Sequence, residues 1–280
     1  MKVVYTISEV RELVKQYKRD GLTVGFVPTM GYLHEGHGSL IKRAKEENNI
    51  VVVSTFVNPI QFGPNEDLDK YPRDQKRDEE VCETYGGDVM FLPSVEEMYP
   101  EERKTTVSVE GLTAGLCGAK RPGHFNGVTT VVTKLFNIVL PDRAYFGQKD
   151  AQQLMVIKKM VRDLNSPVEV IGCPIVREED GLAKSSRNKY LGEDERKAAL
   201  VLSRSLKEAK NAIENGEKNS KKVISVISNV INKEPLAKID YVNIVDINTI
   251  EDVEEIESDV LIAIAVYIGK TRLIDNIIIK

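Results

Sequence analysis

The run "IVVVSTFV" at residues 50–57 restricts the fold more than any other stretch. Nearly continuous apolar and β-branched residues, without polar alternation, read as a strand covered on both faces, as in a parallel sheet flanked by helices. The chain around it supplies the rest of such a sheet. Strands are expected at Lys2–Tyr5, Leu22–Val27, Asp88–Leu92, Arg143–Phe146 and Val168–Gly172. Between them, helices are expected from the Thr6–Glu9 capping box to Arg19, and over Gly38–Asn48, Asp74–Tyr85, Gly127–Val139 and Asp150–Leu164. Strand and helix in alternation with short links predict an α/β fold: a doubly wound, Rossmann-like parallel sheet over residues 1–175. Beyond it the texture changes. A charged helix from Glu193 to about Asn215, a second after Ser220, and strands at Ile239–Asp246, Val260–Ile268 and Leu273–Ile279 predict a smaller α+β domain over 176–280.

Composition narrows the function classes. Apolar residues make up 41% and charged residues 29%, which excludes a disordered chain, and a formal charge of −4 gives no reason to expect a nucleic-acid surface. Cys82, Cys117 and Cys173 are far apart and form no CxxC spacing, so they read as buried or idle thiols in a reducing compartment. The most apolar segment, Val260–Ile268, is too short to span a bilayer. The first twenty residues read as a strand and a charged helix rather than a signal peptide. A cytoplasmic location with no membrane partner is the expectation.

Chemistry gathers first at "VPTMGYLHEGHGSL", where the second strand meets a helix. Two of the three histidines, His34 and His37, stand among Gly31, Gly36 and Gly38. The glycine spacing approaches a P-loop, but His37-Gly38 replace Lys-Ser/Thr, and GxGxxG is absent. "HEGH" is one residue short of HExxH, and a zinc site would also need His124 as a third ligand. A helix cap with two incidental histidines is the plain alternative. Against it, the carboxyl end of a parallel strand is where such sheets bind ligands, and a helix N-terminus favours phosphate.

Four other patches stand out. "FVNPIQF" offers Asn58 and Gln61 as uncharged hydrogen-bonding groups, and "RPGHFNGV" brings Arg121 near His124. "YFGQKDAQQL" groups Gly147, Gln148, Lys149, Asp150 and Gln153 where a strand ends and a helix opens. "REEDGLAKSSRNKY" sets Lys184, Ser185, Ser186 and Arg187 in one loop, either a polar linker or an anion clamp. Phosphate-directed donors are many and candidate nucleophiles few. That balance suggests catalysis by positioning and charge neutralisation on a nucleotide.

HxGH at a strand-to-helix turn with a downstream Lys-Ser-Ser-Arg loop resembles the HIGH and KMSKS pair of the nucleotidyltransferase superfamily. PTMG-x-LHxGH, FVNPxQF, YPR, RPGHF-x-GV, FG-x-KD-x-QQL, DGLA-x-SSRN and RLIDN, in that order between residues 28 and 276, resemble the pantothenate synthetase (pantoate–β-alanine ligase) family. The resemblance implies a two-step reaction: pantoate attacks the α-phosphate of ATP to give pantoyl adenylate and pyrophosphate, and β-alanine then displaces AMP.

It also implies roles. Met30, Gly31, Tyr32, Leu33, His34, Glu35, Gly36 and His37 would form the nucleotide loop, with His37 as proton donor. Lys149 would bridge the α-phosphate and the pantoate carboxylate. Asn58, Gln61 and Gln153 would hold pantoate, Gln61 also β-alanine. Gly147, Gln148, Asp150 and the backbone of Val176 would contact the nucleotide, and Lys184–Arg187 would act as a lid, the smaller domain closing over the site. Arg121 and His124 are further candidate phosphate or substrate contacts. Mg²⁺ on the ATP phosphates and a homodimer are implied as well, with no protein ligand for the ion.

Two positions depart from the family pattern. Gln148 replaces a common Glu, removing a charge beside Lys149, and Lys184 stands where Met or Leu is usual. The rival readings are another adenylyl- or cytidylyltransferase of the superfamily and a nucleotide-binding module without turnover. FVNPxQF and FG-x-KD-x-QQL argue against the first, and intact His34, His37, Lys149 and Arg187 against the second.

Overall fold

The computed structural model describes residues 1–64 and 66–280. In chain order the elements are β1 (Lys2–Val4), α1 (Ile7–Arg19), β2 (Val24–Thr29), α2 (Glu35–Glu47), β3 (Ile50–Thr55), α3 (Gln75–Thr84), β4 (Val89–Phe91), α4 (Val95–Met98) and α5 (Leu116–Lys120). Then follow α6 (His124–Val139), β5 (Arg143–Gly147), α7 (Ala151–Asp163) and β6 (Glu169–Cys173). The chain ends with α8 (Glu193–Ala198), α9 (Leu200–Glu214), α10 (Ser220–Ile231), β7 (Ala237–Asp246), β8 (Val260–Ile268) and β9 (Thr271–Ile279).

Packing divides the chain into two units. The first holds Met1–Glu110, Arg121–Gln148 and Val156–Pro174, and the second holds Gly111–Lys120, Lys149–Met155 and Ile175–Lys280. The main boundary falls where composition changes, near 175. The two short excursions into the second unit have a physical cause that no composition shift announces. The buried Gln152 amide donates to the carbonyls of Leu112 and Gly115, both at 2.9 Å, and accepts from the Cys117 N–H at 3.0 Å. One side chain thus staples the start of α7 to the 111–120 segment.

In the first unit six parallel strands lie in the order β1-β4-β3-β2-β5-β6. Val51, Val52 and Val53 of β3 are fully buried, as a strand covered on both faces requires. The order reverses direction between β2 and β5, so their carboxyl ends flank the topological switch point of the sheet. Two loops leave from there, one after Thr29 and one after Gly147. The helix that follows β2 is held from its far end: the Asn48 amide donates to Tyr145 Oη of β5 at 2.7 Å, and Tyr145 donates to Glu47 at 2.8 Å.

The second unit packs α9 and α10 against the antiparallel sheet β7-β8-β9. Leu202, Leu206, Val223, Ile227 and Ile231 meet Ile262, Ile264 and Val266 in its core. The single charged helix expected from Glu193 is broken at Ala199 into α8 and α9, and both alanines at the joint are buried. No helix among the described residues is long and apolar enough to cross a membrane.

Candidate active site

The loop after β2 reaches its helix sooner than periodicity indicates. The helix starts at Glu35 rather than Gly38 because His34 is its N-cap: His34 Nδ1 accepts the Gly36 N–H at 3.1 Å. His37 closes the box by accepting the His34 N–H on its own Nδ1 at 3.3 Å. An imidazole serves here as the acceptor usually supplied by Ser, Thr, Asp or Asn. The rings lie 4.1 Å apart between centroids, tilted by 40°. With each Nδ1 accepting, the matching neutral tautomer carries its proton on Nε2. Each ring can then donate a hydrogen bond without being charged.

The loop before it is under backbone strain. Gly31 has φ +82° and Tyr32 φ +52°, the latter uncommon for a residue with a Cβ. A residue that the motif reading passed over holds it there. Asp78 of α3, 3% exposed, accepts the N–H groups of Tyr32 at 3.0 Å and Leu33 at 2.5 Å. Arg77 donates to the Leu33 carbonyl at 3.0 Å and lies over the Tyr32 ring. Burial pushes the Asp78 carboxyl above its ordinary pKa, partly offset by those two N–H donors. Its signal in the sequence is faint, an Asp four residues before Cys82 on a helix that buries only these two.

On the β3 side, Asn58 and Gln61 are both buried and bonded to each other, Asn58 Nδ2 to Gln61 Oε1 at 3.0 Å. Asn58 also donates to the Gly127 carbonyl at 3.2 Å and accepts from Tyr99 at 2.9 Å, and Gln61 Nε2 points at Met30 Sδ, 3.0 Å away. Burial pushes the Tyr99 phenol up to about 12, so it stays a donor. A cavity of about 280 Å³ opens beside Met30 and Gly31, lined by Thr55, Phe56, Arg73 and Leu92. It lies at the carboxyl ends of β2 to β4.

Arg121 and His124 stand beneath Gln61. Arg121 forms a two-pronged pair with Glu66, both contacts at 2.6 Å, and bonds His124 Nε2 at 2.9 Å; His124 Nδ1 meets the Gln61 carbonyl at 2.8 Å. These contacts make them supports of the Asn58–Gln61 turn. Gly127 completes it: a Cβ there would lie 2.5 Å from Gln61 Cα and from the Ile60 carbonyl. Helix α6 starts at His124, three residues before the expected start.

The remaining candidates fall past Gly147. At Gly147 itself a Cβ would meet nothing within 4 Å, so the backbone faces open space. Gln148, Lys149 and Asp150 form a single 3-10 turn leading into α7, whose first turn carries the half-buried Gln153. In the second unit Lys149 is 21% exposed, with Nζ 3.8 Å from Asp150, and its carbonyl accepts from Asn276 at 3.0 Å. Val176 and Lys184 face one another across a small hairpin, the Lys184 N–H donating to the Val176 carbonyl at 2.9 Å. Ser185 caps the turn Ser186–Tyr190 by accepting the Arg187 N–H at 3.3 Å.

Cys82 and Cys173 are buried, and burial raises both thiols, Cys82 to about 12. Cys117 is only half-buried, and its sulfur lies 3.3 Å from Tyr241 Oη beside the Arg272 guanidinium. Among the described residues no group of three or more His, Cys, Asp or Glu could hold a metal ion.

A family model described as pantoate-beta-alanine ligase matches residues 2–278. The chain is 61% identical over 280 residues to the pantothenate synthetase of Clostridium botulinum (strain Langeland), covering all of both sequences. It is 59% identical to that of Caldicellulosiruptor saccharolyticus, again over the whole of both. The crystal structure of pantothenate synthetase from Thermus thermophilus matches with a TM-score of 0.94 at 48% identity, covering 99% of each chain. The pantoate-beta-alanine ligase of Francisella tularensis, complexed with beta-gamma ATP and β-alanine, matches with a TM-score of 0.80 at 35% identity, covering 99% of this chain and 97% of that one.

Proposed function

This chain belongs to the pantoate–β-alanine ligase family and is a ligase joining pantoate to β-alanine, and from that premise we propose how its residues divide the chemistry. A carboxylate does not acylate an amine at neutral pH, because oxide is a poor leaving group. Pantoate is therefore activated first. Its carboxylate oxygen attacks the α-phosphorus of ATP, the bond to the β-phosphate breaks, and pyrophosphate leaves. The β-alanine nitrogen then attacks the acyl carbon, the C–O bond to AMP breaks, and the amine proton passes to solvent.

The observation that carries this reading is the pair of imidazoles at the carboxyl end of β2, beside the switch point of the sheet. With Nδ1 of both occupied by backbone N–H groups, His34 and His37 donate from Nε2 to phosphate oxygens as negative charge accumulates. As a neutral ring His37 serves as a hydrogen-bond donor; giving a proton to the departing pyrophosphate requires its imidazolium form, with the His34 N–H released from Nδ1. Gly31 to Gly36 shape the rest of the nucleotide loop, the N–H groups of Tyr32, Leu33, His34 and Gly36 being taken by Asp78, His37 and His34, and the start of α2 adds its dipole to the phosphate site.

Lys149 supplies the fixed cation that offsets repulsion between the pantoate carboxylate and the α-phosphate. By analogy with oxyanion-hole donors this lowers the barrier by about 3–4 kcal/mol. Asn58, Gln61 and Gln153 bind pantoate, amides serving because they bond hydroxyls and carboxylate without a charge competing with Lys149; Gln61 also orients β-alanine. Gly147, Gln148, Asp150 and Val176 contact the nucleoside, and Lys184 to Arg187 its phosphates. Arg121 and His124 act through Gln61. The nucleotide enters as MgATP, the ion carried on its phosphate oxygens. We take the enzyme to be a cytoplasmic homodimer, and sedimentation at twice the chain mass is the expected result.

Pantoate-dependent exchange of labelled pyrophosphate into ATP, without β-alanine, tests the adenylate step. Exchange is expected in the parent, with a fall of about 10²- to 10³-fold in Lys149→Ala and the fold retained. Exchange at the parental rate in that variant would remove the role given to Lys149.

A further inference from the structure

Strand β9 carries two adjacent polar residues that its surroundings do not welcome. Asp275 and Asn276 are 2% and 3% exposed, in a strand otherwise rich in Ile and Leu. Successive side chains of a strand point to opposite faces, so the two serve different neighbours. Buried polar groups on an apolar strand need partners, and both are committed to segments already assigned to the nucleotide.

Asp275 meets Arg177 in a two-pronged ion pair, 2.6 Å and 2.9 Å, and Arg177 also donates to the Gly181 carbonyl at 3.1 Å. That pair fixes the base of the hairpin on which Val176 and Lys184 face each other. Gly181 makes the turn at φ +98°, and Arg177 pairs with Ala183 across it. Asn276 Nδ2 donates to the Lys149 carbonyl at 3.0 Å. The 3-10 turn around Lys149 is only three residues long, too short to define its own direction. Its direction comes from two tertiary anchors: Asn276 at Lys149, and the Gln152 staple three residues later.

We propose that Asn276 is a positioning residue of the adenylation step, setting the direction of the Lys149 ammonium by gripping the Lys149 carbonyl, while the neighbouring Asp275–Arg177 pair holds the Val176–Lys184 hairpin in register from the same strand. The proposal rests on the role given to Lys149. It absorbs RLIDN, a motif with no site role otherwise, as the support that sets a short turn and a hairpin. Misplacing a reacting group by about 1 Å costs on the order of 10²-fold in rate. Removing a support of this kind commonly costs about 10- to 100-fold.

The test uses Asn276→Ala and Asn276→Asp in the full chain. The second keeps the shape but replaces the donating NH₂ with an oxygen that repels the Lys149 carbonyl. Pyrophosphate exchange is measured as kcat and KM, normalised to folded protein from a thermal melt. The expected result is a fall in kcat of about 10- to 100-fold in both variants, with KM for ATP and pantoate shifted by less than about threefold. In a Lys149→Ala background Asn276→Ala should then lower the residual rate by less than about twofold, because the two residues act as one unit.

Parental kcat per folded molecule in both variants, or a full multiplicative loss in the Lys149→Ala background, overturns the proposal. If Lys149→Ala alone exchanges at the parental rate, the reading of Lys149 falls first and takes this one with it. A slowed Lys149→Ala beside parental Asn276 variants removes only the role of Asn276.

Discussion

Gly127 shows how one missing Cβ shapes the turn that carries Asn58 and Gln61. It sits in the first turns of α6, pressed against the Pro59–Gln61 turn so closely that an alanine methyl would overlap Gln61 Cα and the Ile60 carbonyl at 2.5 Å. Both are backbone atoms, so relief requires moving the turn, not rotating a side chain. Gly127→Ala is expected to cost about 1–3 kcal/mol of stability, the usual range for overpacking. It should also raise KM for pantoate more than KM for ATP, because Asn58 and Gln61 are displaced while the His34–His37 cap is untouched. Urea melts and steady-state kinetics on one preparation check both parts.

Among the elements, the start of α6 is tied to the loop before α3 by charge. Burial works to raise the Glu66 carboxyl, but the Arg121 hydrogen bonds and charge outweigh it, and the group sits below its ordinary 4.5. A depressed folded-state value means stabilisation that is fully present above the unfolded value and lost as pH falls through the folded one. The Glu66→Gln variant should therefore melt below the parent at neutral pH, and the difference should shrink to nothing as pH drops below the usual carboxylate range. A constant difference down to the acid limit would mean that shape, not charge, holds the clamp. The helix boundaries teach the same lesson. Helices α2 and α6 start three residues before the periodic pattern because an imidazole caps the one and a left-handed Gly123 precedes the other.

For the whole molecule, the proposed use of MgATP can be separated from the fold. Chelating divalent cations is expected to stop pyrophosphate exchange and leave the thermal midpoint unchanged, because the described residues offer no group of metal ligands. A midpoint that falls with chelation would place a structural ion in the chain. His34, His37, Asn58 and Gln61 belong to the first packing unit, while Lys149, Gln153 and the Val176–Lys184 hairpin belong to the second, where Asn276 and Asp275 of β9 bond to Lys149 and Arg177.

The parallel sheet, the antiparallel appendix and the family were all legible in the chain, since they rest on local periodicity and on short motifs whose order is itself specific. His34, His37, Asn58, Gln61 and Lys149 could be named for the same reason. Their supports could not. Asp78 reaches the Tyr32 N–H from 46 residues away, Asn58 reaches the Gly127 carbonyl across 69, and Asn276 reaches Lys149 across 127. Arg121 and His124 could be named as candidate contacts, but their bonds to Glu66 and to the Gln61 carbonyl could not. Local sequence specifies which way a backbone turns and which face is apolar. Which buried carboxylate or amide satisfies a distant N–H or carbonyl is settled only when the folded chain brings the two together and leaves no water to take the partner's place.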